Sequence, residues 1–214
     1  DLLSVLFEKI DLDNDDIIFS KGWVAASAYY FLSCKGVISK EDLNRFCQPN
    51  EQKYIGLVEP TVTGIKCAGG SMGYGLSFGV GFALQKKMDQ KDGKVYVLMS
   101  DGEMDCGMNW ESVKIAKKYK LNNLVVLLDN NGFQAMGKTK DILDIKPEDL
   151  FSGWEMISCN GHDYLQIEAT LKYPNQLPLV IVAETIKGAF GIPDNIWHYK
   201  APNKEEYDKI LCQI

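Results

Sequence analysis

Val95-Tyr96-Val97-Leu98-Met99-Ser100-Asp101-Gly102-Glu103 is a continuous apolar run that breaks into a carboxylate, a glycine and a second carboxylate. Such a run, without polar alternation, is what a strand covered on both faces requires. Leu124 to Leu128 repeats the pattern and breaks into Asp129-Asn130-Asn131-Gly132, and Leu179 to Ala183 gives a third buried run. Helical patterns lie between them, at about Asn109 to Tyr119 and near Tyr164 to Leu171. Strands alternating with helices imply right-handed crossovers, hence an α/β fold with a mostly parallel central sheet and helices on both faces.

Working outward, Ile17-Ile18-Phe19 reads as another short buried strand, and Ser20-Lys21-Gly22 turns into a helix from Val24 to Cys34. Ser39, three residues ahead of Asp42, resembles a capping box opening a short helix. The stretch Gly69-Gly70-Ser71-Met72-Gly73-Tyr74-Gly75 runs into a helix over Leu76 to Met88. At the start, Leu2, Leu3, Val5, Leu6, Phe7 and Ile10 look like the end of an apolar helix that nothing before Asp1 caps, so a short upstream part is expected. Residues 1–214 otherwise read as a single domain, with no internal repeat and no low-complexity linker.

With 23 Lys and Arg against 29 Asp and Glu, the net charge is −6 and no basic run could neutralise a row of phosphates, which argues against nucleic acid. No stretch approaches the roughly 18 apolar residues of a membrane span, and Asp1 to Phe7 lacks a basic leader, so a soluble cytoplasmic protein is expected. The six cysteines are scattered without a C-x-x-C pair and read as reduced thiols.

In open parallel sheets, ligands bind beyond the carboxyl ends of the strands. Taken alone, Asp101-Gly102 and Asn130-Asn131-Gly132 are ordinary turn sequences, and a lone Gly-rich loop is weak evidence. Together, one helical crossover puts Asp101 and Asn131 on neighbouring strand ends, where a carboxylate, an amide oxygen and a nearby carbonyl suit Mg²⁺ or Ca²⁺ completed by phosphate oxygens. The Gly69 to Gly75 loop adds backbone N–H groups for anionic oxygens. A generic nucleotide-binding domain fits less well, since there is no G-x-G-x-x-G after a strand and no G-x-x-x-x-G-K-[ST].

The spacing from Asp101-Gly102-Glu103 to Asn130-Asn131 resembles the thiamine diphosphate motif of the transketolase family. Ser20-Lys21-Gly22, Gly70 to Gly75, Trp110-Glu111, Lys120 to Leu124, Gly161-His162, Lys187-Gly188 and Trp197-His198 follow the family's order across nearly the whole chain. The resemblance implies that Asp101, the Asn131 side chain and the Phe133 carbonyl hold the metal, that Gly102 lies against the diphosphate, and that Gly70, Ser71 and Met72 line the cofactor channel. It puts Lys187 near the diphosphate and His198 near the reacting centre. Glu103 and His198 are the candidate catalytic groups, and both also count among the candidate cofactor contacts. His162 is expected to shape a turn and is left outside the site.

The family's aminopyrimidine-binding domain, with the glutamate that activates the cofactor, is not found up to Ile214. The resemblance therefore implies a heterotetramer with a separate pyrimidine-binding subunit, and no turnover by this chain alone. Two family histidines are replaced, in Lys21-Gly22-Trp23 and Gly56-Leu57-Val58, and Cys106 stands where the family has a relay glutamate beside Asp105. The implied reaction is ketol or acyl transfer from a ketose or a 2-oxo acid to an aldehyde or ketone. A non-catalytic cofactor-binding subunit is the alternative, against which the retained Asp101 and Asn131 argue.

Overall fold

The computed structural model describes residues 1–188 and 195–212. In chain order the elements are helix α1 (Leu2–Lys9), strand β1 (Asp16–Phe19), helices α2 (Ala25–Cys34), α3 (Lys40–Leu43) and α4 (Tyr74–Met88), and strand β2 (Val95–Ser100). Helix α5 (Gly107–Tyr119) and strand β3 (Leu124–Asn130) follow, then a hairpin of β4 (Phe133–Gln134) and β5 (Gly137–Lys138). Helix α6 (Pro147–Leu150), strand β6 (Glu155–Asn160), helix α7 (Tyr164–Leu171), strand β7 (Leu179–Glu184) and helix α8 (Lys204–Leu211) complete the chain.

The five long strands form one sheet in the order β1-β2-β3-β7-β6, and every pairing is parallel. All their carboxyl ends therefore point the same way. The apolar runs divide between two layers because successive side chains alternate faces. Tyr96, Leu98, Val125, Leu127, Leu179 and Ile181 pack with α1, α2 and α7 on one face. Val95, Val97, Met99, Leu124, Val126, Leu128 and Val180 pack with α4 and α5 on the other. Continuous apolar strands are thus the direct consequence of helices on both faces. The α/β architecture expected from the sequence is the one observed.

Several boundaries differ from expectation for local reasons. A 3₁₀ turn over Gly22–Val24 precedes α2, which starts one residue later than the apolar pattern indicates. α4 starts at Tyr74, two residues early, behind Gly73 with φ +89°. Ser39 does cap α3, its Oγ accepting from the Asp42 amide at 2.9 Å. β6 was not anticipated: it is a sheet edge, only half-buried along most of its length, so EMISCN carries no continuous apolar signal. Among the described residues, no helix is long and apolar enough to cross a membrane.

α4 reaches the sheet through Gly79, where an added Cβ would stand 2.4 Å from a Val97 methyl, whereas at Gly81 on the same helix nothing lies within 4 Å. Gly79→Ala should therefore lower the unfolding free energy by about 1–3 kcal/mol through overpacking. Gly81→Ala should raise it by about 0.5–1 kcal/mol through helix propensity. Urea denaturation of the two variants beside the unsubstituted chain checks both signs.

Candidate functional site

Where β1, β2, β3 and β7 end, the chain turns over the top of the sheet and leaves three acidic side chains out of water. Asp101 and Glu103 are almost fully buried, at 2% and 1% exposure. Asp129, at the end of β3, has a carboxylate only 16% exposed. Each is held differently.

Asp101 accepts from its neighbour Gly102 N–H at 2.8 Å and from Gly132 N–H at 2.5 Å, which draws the β2 and β3 exits together. Burial pushes its carboxyl up to about 6, against the two backbone donors. Asn131 is thereby placed beside Asp101. Its Oδ1 accepts from Phe133 N–H at 3.0 Å, an Asx turn that shapes the start of the hairpin, and its Nδ2 donates to Asp129 Oδ2 at 3.2 Å. Asp129 also accepts from the Lys21 ammonium and the Thr185 hydroxyl. Burial raises the Asp129 carboxyl, and Lys21 together with these bonds more than reverses it, so the group lies below the ordinary carboxylate range.

Glu103 is used otherwise than the sequence reading expects. Its Oε1 accepts from the Ser20 hydroxyl and from Gly73 N–H, the latter at 2.8 Å, while Oε2 faces Ser100 N–H at 3.5 Å. It ties the β1 exit and the glycine loop to the β2 exit beneath the site, and it does not line the cavity described next. Burial raises its carboxyl above the ordinary range.

Above these groups lies a cavity of about 510 Å³ bordered by Gly70, Met72, Gly102, Asn131, Phe133, Lys187 and His198, which brings together seven of the residues named from sequence. Asp101 lies on an adjoining cleft of about 300 Å³ with Asn131, Gly132 and Thr185. Ser71 is exposed at the rim and does not border the cavity. The loop walls meet closely: a Cβ on Gly22 would stand 2.2 Å from the Gly70 nitrogen, and Gly70 has φ +102°. Only glycine fits at either position.

Lys187 is half-buried, and burial followed by the charge of Lys21 lowers its ammonium. Burial followed by the charges of Lys187 and Lys21 lowers the His198 imidazole, favouring the neutral ring. Trp23, on the cavity wall, meets His198 edge-on with ring centroids 6.1 Å apart. Leu57, by contrast, sits behind the wall, its side chain against Gly70 and its carbonyl accepting from Tyr29 Oη at 2.8 Å. Cys106 packs against Gly73, and Asp105 accepts from Gln134 Nε2 at 3.1 Å. His162 bridges Asp1 and the Ile186 N–H, a structural placement.

Sequence reading named Lys21 but gave it no role, and it passed over Thr185. Both act through Asp129, and the Lys21–Asp129 pair spans 108 positions, for which no local pattern exists. Asp129, two residues before Asn131, was the available signal.

The residues fit a divalent cation. Among the described residues, no cluster of three or more His, Cys, Asp or Glu could hold a metal. Asp101 and Asn131 border one cleft, so a desolvated carboxylate and an amide oxygen are available there to a hard ion that shares ligands with phosphate.

A family model described as the transketolase thiamine diphosphate binding domain matches residues 8–202. An apulose-4-phosphate transketolase subunit from Actinobacillus succinogenes is 36% identical over 96% of this chain and 77% of its own. Its namesake from Phocaeicola vulgatus is 33% identical over 94% of this chain and 74% of its own. The crystal structure of transketolase from Campylobacter jejuni superposes with a TM-score of 0.91 at 29% identity, covering 99% of this chain and 37% of that one.

The Glu103 clamp generates a stability prediction independent of any ligand. Glu103→Ala leaves the Ser20 and Gly73 donors buried without an acceptor and should cost about 3 kcal/mol or more. Glu103→Gln keeps one acceptor oxygen but turns an NH₂ toward Ser100 N–H, and should cost about 1–2 kcal/mol. Denaturant midpoints of the two variants give the order.

Proposed function

The chain belongs to the transketolase family, in its thiamine diphosphate binding section, and from that premise we propose that it is the diphosphate-binding subunit of a split enzyme performing ketol transfer. The observation that carries this reading is the Gly132 N–H bond to Asp101, which brings the β2 and β3 exits together so that Asp101 and Asn131 border one cleft beside the cavity walled by the glycine loop. Two relatives, each named as one subunit of a transketolase and matched over about three quarters of its own length, support a separate partner chain. The expected partner carries the pyrimidine-binding domain, and the assembly is a heterotetramer.

In this reading Asp101, the Asn131 amide oxygen and the Phe133 carbonyl hold Mg²⁺ or Ca²⁺. Gly70 and Gly102 let the backbone approach the diphosphate without side-chain interference, Ser71 and Met72 stand at the channel rim, and the Lys187 ammonium offsets phosphate charge. Bound there, thiamine diphosphate supplies the carbon nucleophile that no side chain of the cavity provides. His198, held neutral, can take or return a proton at a substrate hydroxyl. Glu103 contributes by fixing the loop that carries the binding amides.

The donor is a ketose phosphate or a related ketose, as in the relatives named for apulose 4-phosphate and for 6-deoxy-6-sulfo-D-fructose. A 2-oxo acid donor is a second reading, favoured by Trp23, whose indole borders the cavity where the family has an imidazole and, unlike it, can neither accept a hydrogen bond nor take a proton. An apolar wall discriminates weakly, by about 1–3 kcal/mol per methylene-sized difference, whereas lost hydrogen bonds discriminate strongly.

The test is reconstitution with the partner chain in the presence of thiamine diphosphate and Mg²⁺, with ketose phosphates and 2-oxo acids as donors and an aldehyde acceptor. Saturable ketol transfer by the assembly, and none by this chain alone, is the expected result; turnover by the isolated chain would refute the split-enzyme reading. Trp23→His should raise kcat/KM for xylulose 5-phosphate about tenfold or more if the ring edge is what excludes it. By calorimetry, Asp101→Ala should weaken cofactor binding in Mg²⁺ on the order of 100-fold or more. Equal affinity in the two proteins would place the metal elsewhere.

A further inference from the structure

The geometry points to Asp129 as the residue that sets which end of the Asn131 amide faces the binding site. This role rests on the proposed function, because the amide oxygen matters only if a cation is to be held there. An asparagine side chain has a donor end and an acceptor end of nearly the same shape, and only its neighbours decide between them. Here the two neighbours agree. Phe133 N–H can only donate and meets Oδ1 at 3.0 Å; the Asp129 carboxylate can only accept and meets Nδ2 at 3.2 Å.

The Asp129 carboxylate is itself fixed from two other directions, by the Lys21 ammonium on the turn after β1 and by the Thr185 hydroxyl after β7. Three strand exits thus converge on one side chain, which has no freedom to rotate toward the site. Its charge is also taken up by Lys21, so it is ill placed to serve as a metal ligand. Asp101 is left as the carboxylate, and Asn131 as the neutral oxygen donor, of the set. Partners that orient a ligand in this way commonly change metal affinity 10–100-fold when removed. Of the two restraints on the amide, the Phe133 N–H belongs to the main chain, and Asp129 is the one that a substitution can remove.

The substitution is Asp129→Asn in the assembled two-chain enzyme. It keeps the shape but offers a group that can donate as well as accept, so the Phe133 N–H is left as the one restraint that still distinguishes the two ends of the Asn131 amide. The readout is the Mg²⁺ concentration for half-saturation, followed by tryptophan fluorescence at fixed, saturating thiamine diphosphate, with Lys21→Met as the comparison. Asp129→Asn should raise that concentration about tenfold or more, and excess Mg²⁺ should restore both the fluorescence end point and kcat. Lys21→Met keeps the carboxylate but removes one of the two groups that fix it, and should raise that concentration by a smaller factor than Asp129→Asn. An unchanged half-saturation in Asp129→Asn would overturn the role while leaving the site intact, provided that Asp101→Ala still abolishes binding. A loss that excess Mg²⁺ cannot restore, with a lowered urea midpoint, would also overturn it, since that is the mark of a merely structural contact. If Asp101→Ala binds as tightly as the unsubstituted enzyme, the reading of the site itself fails.

Discussion

Three carboxylates withdrawn from water at one end of a parallel sheet set the terms for everything around them. A buried charge must be paired, hydrogen-bonded or neutralised, and here each solution draws a different set of strand exits and loops together. Glu103 joins the β1 exit and the glycine loop to β2, Asp129 joins the exits of β1, β3 and β7, and Asp101 joins β2 to β3. Loops that would otherwise move independently become one surface.

Asp101 is the least well compensated of the three, with a carboxyl pushed up to about 6 by burial from an ordinary value of 3.8. A raised acid pKa means the folded state prefers the proton, so ionised Asp101 opposes folding. The cost is absent below the unfolded value, grows between the two values and is complete above about 6. At roughly 1.4 kcal/mol per unit, it is on the order of 3 kcal/mol at neutral pH. Glu103 and Asp129 collect hydroxyl or ammonium donors, whereas Asp101 has only two backbone amides. A cation bound beside Asp101, as proposed above, would relieve a penalty already present in the fold.

The central strands were legible because burial on both faces removes polar alternation, which is why Val95 to Met99, Leu124 to Leu128 and Leu179 to Ala183 stand out. β6 was not, because an edge strand is half solvated, and neither was the two-residue hairpin at Phe133 and Gly137, which is too short to carry a period. Asp101 and Asn131 could be brought together from sequence because one parallel crossover places consecutive strands side by side. The buried placement of Glu103 was not legible for an equally physical reason. Its side chain turns beneath the loop, and a motif gives position along the chain but not the direction of a side chain. The lysine that faces Asp129 was equally hidden, since the contact joins residues 108 positions apart in the chain.

The groups that would hold metal and diphosphate and those that would meet a substrate occupy different structural ground. Asp129 lies in the ladder, between Ser100 of β2 and Ala183 of β7, and Asp101 and Asn131 follow one residue beyond the last paired positions of their strands. Trp23, Met136 and His198 border the same cavity from a 3₁₀ turn, a hairpin loop and a second 3₁₀ turn. Rigid strand ends hold position to a fraction of an ångström, while loops accept side chains of different size and polarity without disturbing the sheet. An imidazole can therefore give way to the Trp23 indole, and another to Leu57 packed behind Gly70, without strain reaching Asp101. The floor and the walls of the cavity are free to change separately, so the proposed cation site on the strand ends places no constraint on the side chains that would meet the donor.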